Sequence, residues 1–112
     1  MNAKARNARR ILKDRANTNR ANARINRRGN ASLTTHAIAA GLTPRDARTV
    51  ATSLRRNATK LAITGTQHRT HAGRRMRTTT RYTPAQVAAI CVVYRPRKPS
   101  YVLAVTKLAL AA

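Results

Sequence analysis

The chain has 112 residues, with 24 lysines and arginines against two acids, Asp14 and Asp46, for a formal charge of +22 at pH 7. Two carboxylates this far apart in sequence make a poor acid–base pair or two-metal site, and they leave a positive charge that only a polyanion can neutralise. One cysteine, three tyrosines and neither Phe nor Trp limit the chain to one thin core and exclude an internal disulfide.

Arginine outnumbers lysine 19 to 5, and its planar fork matches phosphate oxygens and guanine edges bidentately. The expected partner is therefore nucleic acid, with double-stranded DNA ahead of RNA, and the chain is expected not to be an enzyme. No cofactor is expected. No apolar run approaches the ~18 residues of a membrane span, so no membrane partner is expected. The cationic start never reaches an apolar stretch, which argues against a secretory signal. The expected location is the cytoplasm, on the nucleoid.

Residues 1–31 read as a basic arm, rich in asparagine and poor in large apolar groups. Ala3–Arg15 can form a helix with Ala8, Ile11, Leu12 and Ala16 along one face. Beyond Asp14 the asparagines weaken helix propensity, and Gly29-Asn30 ends the segment. The arm is expected to be partly disordered until bound. Its candidate phosphate contacts are Arg6, Arg9, Arg10, Lys13, Arg20, Arg24, Arg27 and Arg28.

Residues 32–60 are better patterned. Ser32 or Thr34 can cap a short helix running to about Ala40, Gly41 breaks it, and Leu42 points inward. Thr43 then caps a second helix over 44–57, with Pro44 at its first position and Asp46 in its first turn. Ala47, Val50, Ala51 and Leu54 recur at helical spacing as the buried stripe. The opposite face holds Arg45, Arg48, Thr49, Thr52, Arg55 and Arg56 as candidate contacts to nucleic acid.

Leu61-Ala62-Ile63-Thr64 reads as a strand ending at Gly65, and 67–73 as a polar loop. Arg74–Tyr82 alternates as a second strand, with Arg75, Arg77, Thr79 and Arg81 on one face. Candidate contacts here are Gln67, His68, Arg69, His71, Arg74, Arg75 and Arg77. His68 and His71 with Cys91 match no standard zinc spacing, so no metal is expected.

A short helix, a glycine turn, a longer basic helix and a cationic hairpin, in that order, resemble a winged helix-turn-helix protein of the small phage or plasmid regulator type. The resemblance covers 32–82 and rests on pattern order. It implies a mainly α fold with a small β-hairpin, added to the basic arm. It also implies that helix 44–57 reads the major groove, while wing and arm meet the backbone or minor groove.

Residues 83–112 are the most apolar third. Thr83-Pro84 opens a helix through Val87–Ile90, and the run Ile90–Tyr94 competes for strand. Tyr101–Leu110 completes either a helix followed by a hairpin or one long interrupted helix. The segment is expected to complete the core or to mediate a homodimer. Cys91 reads as a small buried hydrophobe. Two rival functions fit the charge: a structural, ribosomal-type RNA-binding protein, and a packaging protein that coats nucleic acid without sequence preference.

Overall fold

A computed structural model describes residues 2–111. Among them are five helices and one hairpin, in the order α1 (Ala3–Arg28), α2 (Leu33–Ala39), α3 (Pro44–Lys60), β1 (Thr66–Ala72), β2 (Arg75–Arg81), α4 (Pro84–Val92) and α5 (Pro99–Leu110). The expectation of a mainly α chain with a small β-hairpin holds.

α1 is continuous over 26 residues and does not stop at Arg15. Its second half is held by packing that outweighs the low helix propensity of asparagine. Ala21 is buried and Ile25 half-buried in the contact with α2. The Asn22 amide donates to the Ala39 carbonyl at 3.2 Å, which serves the open end of α2. Asn2 caps the start, and Gly29 at φ 74° closes the end by donating to the Ile25 carbonyl. Every described residue from 2 to 13 is exposed, so the first half of α1 projects beyond the body.

α2 and α3 begin as expected: the Ser32 and Thr43 hydroxyls accept from the amides three residues on. Between them, the Gly41 amide donates to the Ile38 carbonyl and the Leu42 amide to the Ala37 carbonyl, with Gly41 at φ 105°. That pair of bonds is a Schellman motif, with Leu42 as its buried apolar residue. Ala37 and Ala47 are fully buried. Val50, Ala51, Leu54 and Ala58 continue the α3 stripe into the core, and α3 extends to Lys60, beyond the expected 57.

Leu61–Thr64 is not a strand. The Ala62 amide donates to the Thr59 carbonyl and the Ile63 amide to the Ala58 carbonyl, so the segment is the Schellman cap of α3. Ala62 takes the left-handed position at φ 55°, and Ile63 packs against the core. The first strand is instead the polar stretch expected to be loop. Thr66–Ala72 pairs antiparallel with Arg75–Arg81 in the register His68↔Thr79, Thr70↔Arg77 and Ala72↔Arg75. The turn has only two residues, with Gly73 at φ 67° in first place, where a type II′ turn requires glycine.

The hairpin joins the helices at its exit. Tyr82 and Ala31 exchange backbone bonds of 3.0 and 2.7 Å. The buried His36 ring places Nε2 2.7 Å from the same Tyr82 carbonyl; a carbonyl only accepts, so Nε2 carries the proton. Gly65 passes so close that a Cβ there would lie 2.5 Å from the Arg81 carbonyl oxygen.

α4 starts with a capping box between Thr83 and Gln86, whose side-chain Nε2 also donates to the Thr64 carbonyl at 3.1 Å. In the last segment the hairpin alternative fails and the interrupted-helix one holds in part: it is helical on both sides of a break, as two helices packed on each other. Its β-branched run stays helical to Val92, and 93–98 turns the chain into α5. Val87, Ile90, Cys91, Ala104, Val105 and Leu108 join α2 and α3 in one core. Asp46, at the start of α3, accepts from the Tyr101 hydroxyl at 3.2 Å and lies 3.9 Å from the Lys98 ammonium, which docks α5 there.

Two neighbouring backbone positions should respond oppositely to substitution. Gly65→Ala should destabilise by about 1–3 kcal/mol through overpacking, whereas Ala62→Gly should stabilise by about 0.5–1 kcal/mol by relieving the left-handed alanine. Urea unfolding measures both. Equal effects of the same sign would contradict the geometry.

His36 gives a pH signature. Burial lowers its pKa below 6.5, against a smaller opposing pull from the bond to Tyr82. The unfolded chain therefore binds this proton more readily than the folded one. The contribution is complete above about pH 6.5 and is lost as pH falls, with a limiting slope of about 1.4 kcal/mol per unit. Melting temperature should drop from pH 7.5 to 5, and His36→Gln, which keeps a donor, should flatten the drop. An unchanged slope in the variant would contradict this assignment.

Candidate nucleic-acid interface

The outward face of α3 follows from its buried one. With Ala47, Val50, Ala51, Leu54 and Ala58 turned inward, helical spacing leaves Arg45, Arg48, Thr49, Thr52, Arg55 and Arg56 on the opposite side, all exposed. The Thr49 hydroxyl donates to the Arg45 carbonyl at 3.4 Å and the Thr52 hydroxyl to the Arg48 carbonyl at 3.0 Å. What these threonines offer a partner is thus an acceptor oxygen and a methyl group.

α3 and β2 come together at a single groove. Arg55 of α3 and Arg77, Thr79 and Thr80 of β2 line one groove of about 400 Å³, with Ser32 and Leu33 at its end. Two segments that are separate in the chain thus turn Arg55 and Arg77 to a common space. No α1 residue lines it.

The register divides the other hairpin candidates. Thr66, His68 and Thr70 share a face with Arg75, Arg77, Thr79 and Arg81, while Gln67, Arg69 and His71 share the other with Met76, Thr78 and Thr80. The Thr70 and Thr79 hydroxyls bond across the first face at 3.1 Å. Gln67, Arg69, His71, Arg74, Arg75 and Arg77 are exposed. Arg74 sits in the turn itself. His68 differs: it is half-buried, and its Nε2 has no hydrogen-bond partner among the described residues. His68 and His71, three apart on a strand, face opposite ways, and no cluster of three His, Cys, Asp or Glu occurs among the described residues.

On α1 the cations form an ordered row. Arg6, Arg9, Lys13, Arg20, Arg24 and Arg27 recur at intervals of three, four or seven residues, which places them along one side of the helix. At 1.5 Å per residue the row spans ~31 Å. The Arg10 guanidinium donates to the Asn7 side chain at 2.7 Å and the Arg20 guanidinium to the Asn17 side chain at 2.6 Å. These asparagines hold arginine head groups along the helix, a role visible in sequence as Asn–Arg pairs three apart. Arg28 lies in the last turn, favourably placed against the helix dipole.

Among the described residues the one ion pair is Lys98–Asp46, so the cations of α1, α3 and the hairpin have no carboxylate partner there. Cys91 is buried and its thiol is pushed up to about 11 by that burial, which makes it an inert core residue. No described helix is long and apolar enough to cross a membrane. No family model, curated protein or solved structure matches the chain.

Proposed function

We propose that this chain binds double-stranded DNA with a sequence preference, as a transcriptional regulator or recombination accessory factor built like a winged helix-turn-helix protein. In this reading α2 and α3 are the helix pair and the hairpin is the wing. α3 enters a major groove, which is wide enough to admit one helix. Arg45, Arg48, Thr49 and Thr52, in its first half, meet base edges, and Arg55 and Arg56 meet phosphates. The hairpin and the row on α1 contact the backbone or minor groove. A second copy would pack on the exposed Val92, Val93, Val102, Leu103 and Leu110.

The observation that carries the reading is the groove shared by Arg55 and Arg77. A helix and a hairpin that open onto one surface can engage a continuous stretch of duplex. Neither rival requires that arrangement: a ribosomal-type protein threads basic segments through folded RNA, and a packaging protein needs only charge.

The deciding experiment is selection of bound sequences from a random duplex pool with folded RNA as competitor. A recovered motif that survives the competitor is expected. Preference for the RNA would support the ribosomal-type reading, and binding without a motif would support packaging. Arg48→Ala should lose about 1–3 kcal/mol on the selected site and little on random duplex, whereas Arg75→Ala should weaken both alike. Equal losses for both variants would refute the division of labour.

The arm has its own signature. Replacing Arg6, Arg9 and Lys13 with Gln should lower the slope of log K against log salt by roughly 2.7, if each contacts one phosphate. The fold should be unchanged, because these residues are exposed on the projecting part of α1. An unaltered salt slope would remove the arm from the interface.

A further inference from the structure

A second cavity, lined in part by His36, lies where α1, α2, α4 and α5 meet. It is a half-open pocket of about 220 Å³, roomy enough for one ring-sized molecule. Ile25, Val87 and Leu108 supply apolar wall, and His36 and Lys107 bring the ionisable groups.

The polar groups have complementary needs. His36 is only 2% exposed and uses Nε2 on Tyr82, so Nδ1 is an acceptor, and no donor reaches it among the hydrogen bonds of the described residues. Lys107 has no carboxylate partner among the described residues. Its ammonium stands at the α2–α3 turn, 3.9 Å from where a Cβ on Gly41 would be. A lysine at the rim, an apolar wall and a histidine with a free acceptor nitrogen, all on residues lining one pocket, fit a small amphipathic acid.

We propose that this cavity binds a small carboxylic acid with a ring-sized apolar body and a second, hydrogen-donating group. The carboxylate meets Lys107, the ring lies against Ile25, Val87 and Leu108, and the donor bonds His36 Nδ1. Occupancy then bears on the hairpin, because the same imidazole holds the Tyr82 carbonyl. A donor at Nδ1 polarises the ring and strengthens the Nε2–H bond, so the bound ligand tightens the junction of hairpin and helices.

The test uses the whole chain without nucleic acid, so its outcome is separate from that of the DNA-binding proposal. The probe is 4-hydroxybenzoate, with benzyl alcohol as the uncharged control and sulfate as the control for general attraction of anions to a +22 chain. Melting temperature and the ¹⁵N resonances of the His36 ring are followed during titration. 4-Hydroxybenzoate should raise the melting temperature and shift His36 Nδ1, at least tenfold more tightly than benzyl alcohol. Sulfate should leave the His36 ring unshifted. Lys107→Met should reduce 4-hydroxybenzoate to the level of benzyl alcohol, and Ala39→Leu should fill the cavity and abolish the shift. The proposal is overturned if the His36 ring is unmoved at millimolar probe, if sulfate moves it equally, or if the shift persists in a folded Ala39→Leu chain. Should Ala39→Leu fail to fold, the wild-type titration against sulfate decides alone.

Discussion

The Tyr82 carbonyl is the point on which the architecture turns. It accepts from the Ala31 amide and from His36 Nε2, while the Tyr82 amide donates back to Ala31. The phenol ring lies in the core. One residue thereby ties together the end of β2, the segment between α1 and α2, and α2 itself. A two-stranded hairpin is marginal on its own in water, and most of this one is solvent-exposed. Its anchorage sets where the hairpin arginines stand relative to α3. Gly65 belongs to the same junction, since only a residue without Cβ lets the connector from α3 cross Arg81 and Tyr82 so closely.

The charge explains much of the remaining design. With so few acids, the body cannot neutralise its own surface, so cohesion comes from apolar packing, helix caps and shielded polar bonds. The core is made of small and medium side chains, with Tyr82 the one tyrosine that is buried. Alanines at the α2–α3 contact bring the helices close, which partly compensates for the small area each side chain buries. Helix ends are satisfied with unusual economy: side-chain caps open α1 to α4, and two Schellman motifs close α2 and α3. Projecting cations on the first half of α1 are tolerable because they are solvated.

Where the signal was local, the sequence was legible. Thr43-Pro44 and Thr83-Pro84 announce helix starts through cap chemistry and the fixed proline φ, and the spacing of Ala47, Val50, Ala51 and Leu54 names the buried stripe. The six candidate contacts on α3 emerge on its outer face for the same reason. Non-local effects hid the rest. Nothing in Asn17–Asn26 reveals that Ala21 and Ile25 will be covered by α2, and this packing keeps α1 helical. Leu61–Ile63 has strand-like composition, yet it caps α3 because Ile63 gains more as an apolar lid than it would in a ladder. The first strand carries no local signal because Thr66–Ala72 is polar on both faces and pairs through its partner's register. The bond from His36 to Tyr82 spans 46 positions and leaves no trace in the local pattern.

The most direct measurement of the central claim is amide hydrogen exchange at Ala31 and Tyr82 in the full chain. If their mutual bonds and the His36 contact fix the hairpin to the helices, both amides will exchange as slowly as those of Val50 and Leu54 in α3. Exchange as fast as that of Arg74 at the turn would mean that hairpin and helices move independently, and the account of a single helix-and-hairpin surface would be wrong.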